Sequence, residues 1–151
     1  MAPPKPPKPG TFMSKLETRL TAVNTLVYKL SGGRVGGKLK GAPILLLHHV
    51  GRKSGEARVA PLLYLADGDD YVLVASHAGA DNSPAWYHNL IANPQTMIAI
   101  GKQEVQVTAR EADDGERDRL WPLATAMYSD YDVYATRTTR KIPVVILSPR
   151  A

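Results

Sequence analysis

Ile44-Leu45-Leu46-Leu47-His48-His49-Val50-Gly51-Arg52-Lys53-Ser54-Gly55-Glu56-Ala57-Arg58-Val59-Ala60-Pro61-Leu62-Leu63-Tyr64-Leu65-Ala66 is the stretch that decides the fold of this chain. Two short apolar runs, 44–50 and 57–66, flank a polar segment bounded by glycines, the pattern of two strands joined by a turn. Pro61 removes one ladder donor, so the second run belongs at a sheet edge or a bulge. Asp67-Gly68-Asp69-Asp70 then turns the chain into a third strand over 71–76. Downstream, 96–100 and 104–111 flank Gly101-Lys102-Gln103 as a second hairpin, with Val105, Val107 and Ala109 alternating toward one face. A last strand is expected over 143–147. Six strands arranged mostly as hairpins, with helices between and after them, predict an antiparallel barrel rather than a doubly wound parallel sheet.

The helices read from spacing and punctuation. Met13, Leu16, Leu20, Val23, Val27 and Leu30 lay one apolar stripe along a helix over 12–30, with Lys15, Arg19 and Lys29 off the stripe. Such a helix packs on the body of the protein or rests on an anionic membrane surface. The glycines of Ser31-Gly32-Gly33-Arg34-Val35-Gly36-Gly37 end it. Ser83 is expected to cap a helix over 86–93, with Pro84 at its first position and Pro94 as its stop. Asp113 or Asp114 caps a helix running toward Met127 with a kink at Pro122, and 128–136 forms a short helix.

The 151 residues suffice for one core. Residues 1–11 read as a flexible leader rich in proline and lysine, without the apolar segment of a secretory signal, and 12–151 as a single domain. A hydrophobic fraction of 44% beside 22% charged residues argues against wholesale disorder. No apolar run approaches the roughly 20 residues of a membrane-spanning helix. Cysteine is absent, which excludes disulfides, thiolate metal sites and thiol nucleophiles and suits a cytoplasmic location. The net charge of +5 favours an anionic partner: nucleic acid, a lipid surface or a phosphorylated small molecule.

Three segments carry the chemistry. In the loop between the first two strands, Gly51 and Gly55 allow a tight turn with exposed amides, and Arg52, Lys53 and Arg58 reach toward one anion. The same pattern also describes a solvated hairpin tip. Ala75-Ser76-His77-Ala78-Gly79-Ala80 ends a strand and leads to Trp86, Tyr87 and Asn89. Its small residues let a flat ring approach the backbone while the indole and phenol wall it by stacking, or else Trp86 is a core aromatic. Tyr128, Tyr131 and Tyr134 recur every third residue along one helical face, as core packing or as donors at a pocket mouth. His48 and His49 point to opposite faces of one strand and cannot share a metal. His77 and His88 lack a carboxylate in a ligand motif, so no metal site is expected. There is no dinucleotide fingerprint, phosphate loop, nucleophile elbow or nucleic-acid motif.

Together, in this order, these segments resemble the deazaflavin-dependent nitroreductases, or coenzyme F-420-dependent quinone reductases, of actinobacteria. The resemblance runs from about Leu16 onward and rests on Gly51-Arg52-Lys53-Ser54-Gly55, Arg58-Val59-Ala60-Pro61, Asn82-Ser83-Pro84-Ala85-Trp86-Tyr87 and the three tyrosines. It implies a split β-barrel of the FMN-binding type, with flanking helices, that binds F-420. By position, Arg52, Lys53, Ser54 and Arg58 would hold the cofactor's phosphate and oligoglutamate tail. Val59, Ala60, Pro61, Leu62 and Leu63, then Val74, Ala75, Ser76 and His77, would line the deazaflavin, with Trp86, Tyr87, Asn89 and Tyr131 completing the wall. Ser76, Tyr128, Tyr131 and Tyr134 would face the substrate, Tyr134 foremost. The chain departs from the family at Leu63, where an aromatic residue is expected, and at His77, where a lysine is.

The activity implied is hydride transfer from the reduced cofactor to a quinone, nitroaromatic or activated alkene, by a monomer or homodimer in the cytoplasm. A peripheral contact with the inner face of the cell membrane through the N-terminal helix stays open, and no nucleic-acid partner is implied. The competing readings are an FMN-binding enzyme on the same barrel and a non-enzymatic basic module that binds membrane or polyanion.

Overall fold

The computed structural model describes the backbone of residues 38–39 and the whole of residues 41–150. The helix expected over 12–30 and the leader lie outside the described residues. The strands are β1 (Lys38–Leu39), β2 (Ala42–Val50), β3 (Ala57–Leu63), β4 (Leu65–Asp67), β5 (Asp70–Val74), β6 (Gln95–Ile100), β7 (Gln103–Glu111) and β8 (Val144–Pro149). The helices are α1 (Ala85–Ala92), α2 (Asp114–Met127) and α3 (Asp130–Thr136), and one 3-10 turn spans His77–Gly79.

Every strand pairing is antiparallel. β2 pairs with β3 from Ile44↔Leu63 to Val50↔Ala57, and on its other side meets β6 at Leu46↔Ala99 and Leu47↔Ile98. From β6 the order continues through β7, β8 and β5 to β4. The run expected as one strand over 57–66 is interrupted at Tyr64, where the chain changes partner: β3 pairs with β2, and β4 pairs with β5. The Tyr64 amide donates to the Pro43 carbonyl at 3.1 Å. This bent segment brings the sheet back on itself as a barrel. With β1 added, it makes eight strands among the described residues where six were expected.

The barrel is split because no ladder joins β3 to β5. Pro61, opposite Leu46, lies on that open side of β3, where its missing N–H costs no hydrogen bond.

Side-chain alternation builds two layers. Leu45 and Leu47 of β2, Leu73 of β5, Ile98 of β6, Val107 of β7 and Val145 and Leu147 of β8 meet inside the barrel, joined by Trp86 and Leu90 of α1. The alternate residues Val72, Val144 and Ile146 face outward under Leu120 of α2. β5 and β8 are therefore covered on both faces, which is why 143–147 reads as a continuous apolar run. Each such fully buried aliphatic side chain contributes roughly 1.5–3 kcal/mol.

Asp113, not Asp114, caps α2. Its Oδ1 accepts from the Glu116 amide at 2.8 Å while the Glu116 carboxylate accepts from the Asp113 amide at 3.2 Å. Arg110 grips the same carboxylate at 2.6 and 2.7 Å. Hydrogen bonds from Arg110 first, then the Asp113 amide, lower its pKa to about 2. α2 runs unbroken past Pro122, which withholds a single N–H.

Candidate active site

The split in the barrel opens into a cleft of about 370 Å³. Pro61, Leu62 and Leu63 of β3 form one side; Leu73 and Val74 of β5, followed by Ser76, His77 and Ala78, form the other. Trp86 and Pro84 close the end at α1, and Tyr128, Tyr131 and Tyr134 cover the cleft from the helical side.

The tyrosines converge, though not along one helix: Tyr128 is the C-terminal cap of α2, while Tyr131 and Tyr134 belong to α3. Their ring centroids are 5.0 to 6.4 Å apart, in edge-on and tilted arrangements. The hydroxyls of Tyr128 and Tyr134 approach to 3.3 Å. Burial pushes the Tyr128 and Tyr131 phenols well above the ordinary tyrosine range, with Tyr134 adding to both shifts. Both therefore stay protonated at neutral pH and can donate. Tyr131 is only 4% exposed, and among the described residues its hydroxyl has no hydrogen-bond partner. A buried polar atom left that way fits a polar ligand group in the cleft.

The floor of the cleft is held in an unusual backbone shape. His77 and Ala78 are left-handed, at φ 47° and 51°, before Gly79 at 81°. Conformations of this kind cost non-glycine residues about 1–3 kcal/mol each and persist only where their surroundings impose them. Here two arginines do so. Arg140 donates to the carbonyls of Ala75, Ser76 and Ala80 and to the Ser83 hydroxyl, at 2.9 to 3.2 Å. Arg137 donates to the Ala78 carbonyl at 3.2 Å. At Gly79 a Cβ would stand 2.7 Å from the Tyr134 carbonyl oxygen, so the glycine permits the close approach of this turn to α3. His77 is fixed by its Nδ1, 3.2 Å from the Asn82 carbonyl.

A second cavity, of about 220 Å³, lies beside the basic loop and is lined by Gly51, Arg52, Lys53, Ser54, Arg58, Ala85 and Asn89. The loop is tightened by the Gly51 amide donating to Glu56 and the Gly55 amide donating to Gly51, at 2.9 and 2.8 Å. Ser54 Oγ accepts from the Glu56 amide at 3.2 Å. Among the described residues Arg58 makes one ion-pair contact, a loose exposed one with Glu56 at 3.6 Å, and the charged ends of Arg52 and Lys53 have no ion-pair partner. α1 begins here without a side-chain cap: its N-terminal cap is Pro84, and Ser83, expected in that role, is engaged by Arg140. A helix start without a side-chain cap, next to exposed cations, is an arrangement that could hold an anion.

Beneath the loop, the Arg52 amide donates to Asn89 Oδ1 at 3.0 Å, and Asn89 Nδ2 lies 2.9 Å from His49 Nδ1. Burial first, then the charge of Arg58 and the neighbouring His48, lowers the pKa of His49.

The sequence-derived candidates thus divide. Pro61, Leu62, Leu63, Val74, Ser76, His77, Trp86, Tyr128, Tyr131 and Tyr134 line the cleft, and Arg52, Lys53, Ser54, Arg58 and Asn89 line the basic cavity. Val59 and Ala60 lie further along β3 and line neither, and Ala75 is buried in the barrel core. Tyr87 stands apart: its hydroxyl donates to Glu111 at 2.7 Å, and it lines a different cavity with Ser83, Arg117 and Lys141. Burial, then the Glu111 bond, pushes its pKa up to about 12. Arg137, Arg140 and His49 were not legible as site residues, because each acts on a partner distant in sequence.

The family model for F-420H(2)-dependent quinone reductase matches residues 20–149. An F-420H(2)-dependent quinone reductase of Mycobacterium tuberculosis is 40% identical over 136 residues, covering 87% of this chain and 91% of its own. Among solved structures, an F-420-H2 dependent reductase is similar with a TM-score of 0.65 and 39% identity, over 70% of this chain and 94% of that one. A relative solved as a domain-swapped dimer aligns at 0.67 and 33% identity, over 89% and 98%. On the length and level of these matches, the chain belongs to the F-420H(2)-dependent quinone reductase family.

Proposed function

We propose that this protein is an F-420H2-dependent oxidoreductase that passes a hydride to a quinone bound in the split of the barrel. The observation that carries this reading is that the two cavities flank the same first turn of α1. Pro84 and Trp86 line the apolar cleft, while Ala85 between them lines the basic cavity. A ligand with a flat polycyclic head and a polyanionic tail fits that arrangement, and coenzyme F-420 has both parts.

Arg52, Lys53 and Arg58, with the open start of α1, would hold the tail by charge-assisted hydrogen bonds. Leu62, Val74 and Trp86 would contact the flat ring over apolar surface. When bound, the reduced deazaflavin supplies the hydride. Tyr131 and the Tyr128–Tyr134 pair would donate hydrogen bonds to the acceptor's oxygen atoms, stabilising negative charge that develops as the hydride arrives. Packing of the three rings against Leu63, Val74 and Trp121 keeps water from that side of the cleft.

The finer parts of the proposal are separately testable. Nitroaromatics and activated alkenes share the flat, electron-poor character of quinones and belong in the same acceptor screen. The relative solved as a domain-swapped dimer supports a homodimer, which sedimentation would decide. Among the described residues no helix is long and apolar enough to cross a membrane. A peripheral contact through residues 12–30, on the inner face of the membrane, is tested by liposome binding of the full chain and of a chain lacking residues 1–30, which should keep cofactor binding. The cytoplasmic location is tested by fractionation.

The decisive experiment is fluorescence titration of F-420, with FMN as competitor, followed by reduction of a soluble quinone. Tight F-420 binding that FMN does not displace is expected. A yellow flavin that copurifies and excludes F-420 overturns the reading.

A further inference from the structure

The contacts beneath the basic loop define a proton position. A backbone N–H can only donate, so the Asn89 atom facing the Arg52 amide at 3.0 Å is the carbonyl oxygen. The other Asn89 terminus is then the NH2 group, and the His49 Nδ1 it meets at 2.9 Å must accept. The imidazole proton therefore sits on Nε2, and the ring is neutral. His49 is 7% exposed and Asn89 5%, so water does not readily replace either bond. His49 follows Leu45 and Leu47 on the inward face of β2, where Asn89 of α1 meets it.

We propose that His49 is a positioning residue for the anion-binding loop: its neutral ring orients Asn89, Asn89 holds the Arg52 amide, and protonation of His49 releases the loop. The proposal rests on the reading of that loop as the tail site of the cofactor. A proton on Nδ1 would face the Asn89 NH2 donor to donor. Either that contact breaks, or Asn89 flips and abandons the Arg52 amide. The titratable groups around His49 oppose its protonation: the Arg58 guanidinium of β3, directly across at His49↔Arg58, and the His48 imidazole on its own strand, while α1 presents the neutral Asn89. Arg52 and Lys53 stand on the rim of the same cavity. The pKa of His49 in the folded protein lies below its ordinary value, so the anchoring is complete above that ordinary value. It is lost as pH falls through the lower folded one. A bound anion opposes this trend, because a positive His49 would attract it. The sign of the pH effect therefore separates anchoring from simple charge.

Three measurements test the proposal on the full chain. The first is the 15N shift of the His49 ring in the wild type near pH 7.5, expected to show an unprotonated Nδ1. The second is the hydrogen-exchange protection factor of the Arg52 amide, without cofactor, between about pH 8 and pH 5, for wild type and His49→Gln. Glutamine can accept from Asn89 but does not titrate over this range. Wild-type protection should fall by about three- to ten-fold, the worth of one hydrogen bond, while the variant's stays level. The third is F-420 affinity over the same range, expected to fall at acid pH in the wild type and to stay level in the variant. A protonated Nδ1 at pH 7.5, or Arg52 protection that follows the same course in both proteins, overturns the proposal. So does wild-type affinity that rises at acid pH. Failure of every form to bind F-420 defeats the cofactor reading instead, and Arg52 exchange still decides the anchoring. If His49→Gln does not fold, the ring shift and wild-type exchange decide it.

Discussion

The cleft and the basic loop meet at the first turn of α1, but they are built by opposite means. In the cleft, Tyr128, Tyr131 and Tyr134 are each less than a tenth exposed and pack with Ala124 and Ile142, so the groups that would face substrate are also core. In the loop, Arg52, Lys53, Ser54 and Glu56 are exposed, and order comes from backbone bonds among Gly51, Gly55 and Glu56 and from the Asn89 anchor below. Function and stability are therefore entangled in the cleft and separable in the loop.

The largest expected effect tests that entanglement. Tyr131→Ala should lower stability by roughly 3–5 kcal/mol, the usual cost of deleting a buried aromatic ring. Quinone reduction should disappear with it. Thermal melting beside an activity assay reads both, and a variant as stable as wild type would show that the aromatic cluster is not part of the core.

Next in size are Lys53→Ala and Arg58→Ala. On the proposed reading each would remove one charge-assisted contact with the cofactor tail, worth about 1.5–3 kcal/mol, or roughly ten- to a hundred-fold in affinity. The melting temperature should hardly move, since an exposed loop charge contributes at most about 1 kcal/mol to a fold. Added salt should weaken binding by the wild type more than by either variant, because the variants have fewer charges to screen. If both bind F-420 like wild type, the loop is only a solvated turn and the anion site lies elsewhere.

A smaller effect is expected at Tyr134. Its hydroxyl has a protein partner, Tyr128 at 3.3 Å, so Tyr134→Phe should leave the packing nearly intact and, on the proposed reading, would remove one donor to the acceptor. Turnover should fall by about ten-fold while cofactor affinity changes little. An unchanged rate with several acceptors would return Tyr134 to the role of core aromatic.

The same contrast explains what could be read in the sequence. Strand positions and the loop were legible, because alternation and glycine-bounded polar turns are local signals. The break at Tyr64 was not: the chain changes strand partner there without a glycine, and only the barrel's closure requires it. The helix expected over 86–93 is there, but it begins at Ala85 with Pro84 as its N-terminal cap rather than its first residue, and Ser83, expected as the cap, is engaged by Arg140, 57 residues distant. No local pattern marks Arg140 or Arg137 as the clamps of the cleft floor. The His49–Asn89 contact joins residues 40 apart, and from sequence only the opposed faces of His48 and His49 could be derived.

Tyr87 sharpens the comparison with the smallest expected change. The sequence pattern groups it with Trp86 as one aromatic wall, yet consecutive residues on a helix point about 100° apart, and the structure puts the two on different cavities. Trp86 joins the barrel core and the cleft, whereas the Tyr87 hydroxyl reaches the exposed Glu111 carboxylate at 2.7 Å. Tyr87→Phe removes that bond and leaves the ring in place. Water can solvate the released carboxylate, so the stability loss should be no more than about 1 kcal/mol. Affinity for F-420 and quinone turnover should match wild type, whereas Trp86→Ala should damage both. Melting curves and cofactor titrations of the two variants, run together, check this. A loss of cofactor affinity in Tyr87→Phe would mean that the binding surface extends past α1 toward Glu111, and that the cleft and the loop are not the whole of the site.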